Sequence, residues 1–133
     1  MPNANRDKGK RAELDVFKYV QEFFPESWKT RDGWDADRGD VVLDLLGDKV
    51  LTWAIQVKDV GSPNWKDWFH GLCEQVRNGS HQSGVIWWKL RGKSNPADWR
   101  VVMTGRDYMD LMTRIRFLES HLDGVGSDGK ELR

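Results

Sequence analysis

Positions near the start of the chain recur with a helical period. Glu13, Phe17, Val20 and Phe24 fall at i, i+4, i+7 and i+11 and predict one face of a helix over 8–24. Pro25 ends it, because its ring and missing N–H cannot continue the backbone ladder. The period then changes to two. Val41, Leu43 and Leu45 alternate along 40–46, and Leu51, Trp53, Ile55 and Val57 along 50–58, which predicts two strands sharing an apolar face. Gly47-Asp48-Lys49 between them suits a hairpin loop. With those residues in the loop, Leu46 faces Val50, and the same register sets Asp40 opposite Gln56, with Lys58 two residues further along that face. A slip of one residue would send them to opposite faces.

The remaining elements follow from the same patterns. Trp28 to Arg31 reads as a short strand, followed by a Gly- and Asp-rich loop over 32–39. Trp65, Trp68, Phe69, Leu72 and Val76 lie at helical spacing and predict a helix over 64–78. Val85-Ile86-Trp87-Trp88 marks a buried strand within 83–90, 99–104 is a further strand, and a last helix runs over 105–118. Trp65 and Trp68 suit a core or interface role better than stacking on bases, and Trp87 and Trp88 point to opposite faces of their strand. The order αβββαββα predicts an α/β fold, a mixed sheet flanked by helices, in a single domain over 1–122. Residues 1–7 read as a flexible polar start and 123–133 as a flexible Gly-rich tail.

Composition narrows the function classes. The 133 residues carry 21 Lys+Arg against 21 Asp+Glu, so bulk charge does not hold a nucleic acid. A local basic surface remains open. The segments 6–11 and 89–100 each carry an excess of three positive charges, which suits phosphate contact or simple solvation. Eight Trp compensate for a hydrophobic content of 38%. The single Cys73 excludes an internal disulfide and a Cys-rich zinc site, and it is expected to be buried and inert. That usage suits a reducing, intracellular setting. No apolar run suits a signal peptide or a membrane span. His70, His81 and His121 lack metal-ligand spacing and read as structural or surface residues.

The candidate chemistry lies where the strand pair meets the first helix. Asp40, Gln56 and Lys58 share one face at one end of the hairpin, and Glu13 lies on the helix stripe. A hard cation such as Mg²⁺ takes oxygen ligands, and phosphodiester cleavage needs charge stabilisation and an activated water. Asp40 and Glu13 supply carboxylates, Gln56 an amide carbonyl and Val57 a backbone carbonyl, while Lys58 would polarise water or stabilise the phosphorane. Each residue alone has a simpler reading. Glu13 suits a helix N-terminus, Asp40 a turn, and Lys58 a solvated strand end. Only their joint placement points to a site.

With these residues in view, the chain resembles the PD-(D/E)XK nuclease superfamily, and within it the small archaeal and phage-type Holliday junction resolvases. Lys8-Gly9-Lys10-Arg11-Ala12-Glu13 looks like that group's K-G-x-x-x-E opening, and Arg31 is placed like its basic residue before the metal-binding Asp. Arg38-Gly39-Asp40-Val41-Val42 is similar to the P-D-I-I strand entry, and Ile55-Gln56-Val57-Lys58 to the E-x-K strand. The likeness spans 8–116. It implies a restriction-endonuclease-like core and cleavage of four-way DNA junctions by a homodimer with Mg²⁺, or Mn²⁺ as substitute. It further implies a cytoplasmic setting in a prokaryotic or phage-infected cell. The implied catalytic residues are Glu13, Asp40, Gln56 and Lys58, with Glu13, Asp40, Gln56 and Val57 on the metal and Lys8, Lys10, Arg11, Arg31 and Gln75 toward DNA.

The chain departs from that pattern in three places. Gly39 stands for Pro, and Leu14 follows Glu13 where Arg is frequent. Gln56 stands for Glu, which removes one negative charge from the implied metal site. Asp35, Asp37 and Asp44 are candidate compensating carboxylates, Asp44 being four residues beyond Asp40 on the same face. The alternatives are another nuclease of this fold, restriction-like or flap-cutting, and a catalytically silent DNA-binding module that keeps the fold. A Trp-rich protein-interaction domain is a third.

Overall fold

A computed structural model of the chain describes the backbone of residues 4–30 and 40–126 and the side chains of 7–30 and 40–122. Arg31, Asp35, Asp37 and the rest of the 32–39 loop lie outside the described residues, as does the tail beyond 126. The elements run α1 (Ala4–Phe23), β1 (Trp28–Lys29), β2 (Val41–Asp44), β3 (Thr52–Lys58), α2 (Trp65–Gly79), β4 (Ser83–Trp88), a 3₁₀ turn (Pro96–Asp98), β5 (Arg100–Val102) and α3 (Gly105–Gly126). This is the expected α/β order. The helices α1 and α3 both extend past their expected ends, so residues 4–7 and 123–126 are helical rather than flexible segments. Among the described residues, no helix is long and apolar enough to cross a membrane.

The five strands form one sheet in the order β1-β2-β3-β4-β5. β1, β2 and β3 are mutually antiparallel, β3 and β4 are parallel across α2, and β4 and β5 are antiparallel. The hairpin register is the one the pattern dictates. Val41 pairs with Ile55 and Asp44 with Thr52, which sets Asp40 opposite Gln56. The strands are shorter than expected, because Asp44 captures the turn. Its carboxylate accepts the Gly47 N–H and the Lys49 N–H at 3.0 Å each, in a loop where both residues have positive φ. Leu45, Leu46 and Val50 are left exposed at the tip.

Both faces of the sheet are covered. Trp87 meets Tyr19 of α1 edge to face at 5.9 Å, whereas Trp88 meets Trp65 and Trp68 of α2. Neighbouring side chains on a strand point to opposite faces, so α1 and α2 lie on opposite sides. On the α1 side the buried stripe is Ala12, Val16 and Val20. Phe17 and Phe24 are only half-buried, which corrects the stripe expected from periodicity. Small and β-branched residues let the helix approach the sheet more closely than Phe would. On the α2 side Ala54, Ile86, Trp68 and Leu72 form the core. Gly84 is required there, since a Cβ would lie 2.7 Å from Leu72 Cδ1 and 3.0 Å from the Ala54 carbonyl oxygen.

Three indole N–H groups tie loops to this frame. Trp88 donates to the Val60 carbonyl, Trp87 to Pro96 and Trp99 to Lys93. α2 begins at Asn64, whose side chain accepts the Asp67 N–H, and ends at Ser80 in the left-handed region. Cys73, on α2, is exposed rather than buried. By compactness the chain divides into two units, Met1–Val102 and Met103–Arg133. The sheet, α1 and α2 belong to the first, and α3 to the second.

Candidate active site and an adjoining basic cleft

Asp40 sits just before β2 and replaces the end of the strand ladder with its own side chain. Its N–H donates to the Ile55 carbonyl at 3.1 Å, and its Oδ2 accepts the Val57 N–H at 2.8 Å. It thereby clasps the two peptide units that flank Gln56. From the other side, the Thr30 N–H donates to the Asp40 carbonyl at 3.2 Å, so β1 holds the clasp in place. A carboxylate bonded to a backbone N–H in this way has one oxygen fixed in position.

Gln56 and Lys58 share the α2 face, because Gln56 pairs with Ile86 and Lys58 with Trp88. Gln56 is buried. Its Nε2 lies against α2, 3.2 Å from where a Cβ on Gly71 would stand, and its Oε1 is buried with no hydrogen-bond partner. Such an orphaned oxygen costs about 1–3 kcal/mol of desolvation unless something occupies it. The Lys58 ammonium rests 5.6 Å from the centre of the Trp68 ring.

α1 brings Glu13 toward the same end of the sheet. Lys8 Nζ lies 3.7 Å from the carboxylate of Asp59, just past β3. Glu13 is therefore about 7.5 Å back along the helix from Lys8, at 1.5 Å per residue. Gln56 lies about 10 Å back along β3 from Asp59 at strand rise, so helix and strand bring the two residues to similar depth but on opposite faces of the sheet. Glu13 is half-buried and flanks the core stripe instead of lying in it. The desolvation argument for a partner is correspondingly weaker than its periodicity suggests.

Asp44 is excluded as a compensating ligand by what it already does. It is buried and holds the hairpin turn through both carboxylate oxygens. Among the described residues, no group of three or more His, Cys, Asp and Glu is arranged to hold a metal ion. What the clasp offers a hard cation is oxygen from Asp40, the orphaned Gln56 Oε1 and the Val57 carbonyl, whereas Glu13 stands on the α1 side, across the sheet from Gln56. The unsatisfied amide oxygen is the feature that fits such a cation.

The residues expected toward DNA divide. Gln75 is buried between α2 and the sheet, one helical turn beyond Gly71, so it does not present itself to a phosphate backbone. Lys8 and Arg11 are exposed and Lys10 is half-buried on the first half of α1. Arg31 lies outside the described residues.

A feature missed in the sequence joins the two basic segments. Lys8 and Arg11 from α1 and Lys89 and Arg91 after β4 line one cleft of about 360 Å³, with Asp59, Gly61 and Gly92. Asp59 ties both sides together, with Lys8 Nζ at 3.7 Å and Lys89 Nζ at 3.8 Å. The Lys89 N–H donates to the Lys58 carbonyl, so the cleft opens directly beyond Lys58. The signal lay in two cationic segments far apart in sequence, and only parallel pairing of β3 and β4 beside α1 brings them together. Two of the three histidines are engaged locally: His81 Nδ1 is 2.8 Å from Thr52 Oγ1, and His70 contacts Glu74.

No family model matches the chain, and neither a curated protein nor a solved structure is significantly similar to it.

Proposed function

We propose that the protein is a metal-dependent endodeoxyribonuclease of the PD-(D/E)XK type that cuts branched DNA, with the four-way junction as its substrate and two copies acting together. The observation that carries the reading is the Asp40 clasp: a carboxylate fixed on the peptide beside Gln56, in register with a same-face lysine. The adjoining cleft supports it, because four cations against one carboxylate suit a phosphodiester backbone. Asp40, Gln56 and Val57 would hold Mg²⁺ or Mn²⁺, which supplies charge neutralisation at the scissile phosphate and a more acidic water. Lys58 would leave the Trp68 ring to face the phosphate. Lys8, Arg11, Lys89 and Arg91 would bind the flanking backbone.

The test is cleavage of a labelled four-way junction beside a matched linear duplex, in Mg²⁺ and in Mn²⁺, with Lys58→Ala as control. Paired nicks in the junction alone, lost in Lys58→Ala, are the expected result. Equal cutting of both substrates keeps the nuclease and removes the junction preference. Binding without cutting would instead support a silent DNA-binding module. That second reading draws on one observation: Gln56 brings no negative charge to a site where acids are few.

Gln56→Glu distinguishes the two readings without depending on turnover. It adds a carboxylate beside Asp40, so the Mg²⁺ concentration for half-maximal effect should fall by roughly tenfold as ligand charge rises. The variant should also be less stable than wild type without metal and gain thermal stability on adding Mg²⁺, since binding to the folded state alone is stabilising. A melting temperature indifferent to Mg²⁺ in both proteins would remove Gln56 from any metal site.

A further inference from the structure

α3 carries an apolar seam with a heptad spacing. Tyr108, Leu111, Ile115, Leu118 and Leu122 alternate by three and four residues, the a and d positions of a two-stranded coil. Tyr108 is 51% exposed, Ile115 48%, Leu118 58% and Leu122 53%. From Gly105 to Leu122 only Asp107 and Leu111 are even half-buried. A helix in water draws most of its stability from burying one face, and within its own unit this face has nothing to bury against.

The flanking charges say what covers it. With Ile115 and Leu122 at a, Arg114 takes a g position and Glu119 the e position of the next heptad. In a parallel pair, g of one helix faces that e position of the other, so Arg114 would meet Glu119 of a second copy, twice by symmetry. In the central heptad Ile115 at a is followed by Leu118 at d, the combination that favours two strands. Both charged residues are exposed.

We infer that α3 is a homodimerisation helix that pairs in parallel with α3 of a second copy of this chain. The inference does not depend on the nuclease reading, since the coil forms whether or not the protein cuts DNA. If that reading also holds, the coil places two sites in one particle under a two-fold axis, as paired incisions require.

The test is sedimentation of the full-length protein over a concentration series. Wild type should run as a dimer of the 15.5 kDa chain. Ile115→Asp should give a monomer whose sheet unit melts as in wild type. Arg114→Glu and Glu119→Arg, both on exposed positions, should each weaken dimerisation by about tenfold, and the double reversal should restore it. Leu118→Cys in a Cys73→Ser background should form a disulfide between copies under oxidation, because a parallel register sets position 118 against itself. A monomeric wild type, or a dimer that survives Ile115→Asp, would overturn the proposal. Single reversals that weaken the dimer without rescue in the double variant, or absence of the crosslink, would overturn the parallel pairing.

Discussion

Asp40→Asn is expected to lower cleavage by at least about 100-fold, the scale on which one preorganised electrostatic group acts in a transition state. The substitution separates two roles of the residue. Asparagine keeps a carbonyl oxygen that can accept the Val57 N–H, so the clasp on β3 persists. It loses the negative charge that a divalent cation needs. Thermal stability should therefore stay close to wild type while activity collapses. Asp40→Ala should do both, because the Val57 N–H is left without this acceptor at a cost of about 1–3 kcal/mol. Kinetics on the junction substrate and a melt of each variant give the comparison. An Asp40→Asn protein that cuts at the wild-type rate would remove Asp40 from the chemistry and leave it a strand-end device.

Asp44→Ala should be the most damaging single truncation on the hairpin for stability, at roughly 2–4 kcal/mol. It removes two charge-assisted bonds, each worth about 1.5–3 kcal/mol, from backbone donors that can partly recover water. The Gly47 and Lys49 N–H groups lose their shared acceptor, and both residues sit at positive φ in the turn. For a unit of this size, about 1 kcal/mol moves the melting temperature by roughly 4–8 °C, so the transition should drop well outside measurement error. Asp44→Asn should fall between, since an amide offers one acceptor in place of two. Activity measured well below the transition should survive in both. Loss of metal response in folded Asp44→Asn would instead make Asp44 a ligand, against its burial in the turn.

The two variants test different ends of one strand, and their contrast explains how the site is built. Asp44 sets the register at the turn, and that register decides which side chain faces Gln56 at the far end of β2. The alternation of apolar residues through 41–57 was enough to read this pairing, because a slip by one residue would turn Ile55 and Val57 to the opposite face. The ends of the strands were not legible. Leu45 continues the alternating pattern and Leu46 and Val50 extend the apolar run, yet the Asp44 carboxylate turns the backbone away. Periodicity also placed α1 on the sheet but chose Phe17 and Phe24 for its core. It weights residue size, whereas close approach of helix to sheet favours Ala12, Val16 and Val20.

The candidate site divides in the same way. That Asp40, Gln56 and Lys58 share a face follows from strand period and one turn, both local properties of the chain. So do the α/β class and the element order, since helical and strand patterns differ in period and are separated by Gly and Pro. What only the tertiary structure decided are relations across long sequence distance. These are the Gln56 oxygen left without a partner beside Gly71, the burial of Gln75, the exposure of Cys73, and the union of Lys8 and Arg11 with Lys89 and Arg91 around Asp59. The physical reason is that period reports which way a side chain points from its own backbone. It carries no information on which other backbone arrives opposite, and that depends on how α1 and α2 pack on a sheet whose β3 and β4 are joined only through a helix.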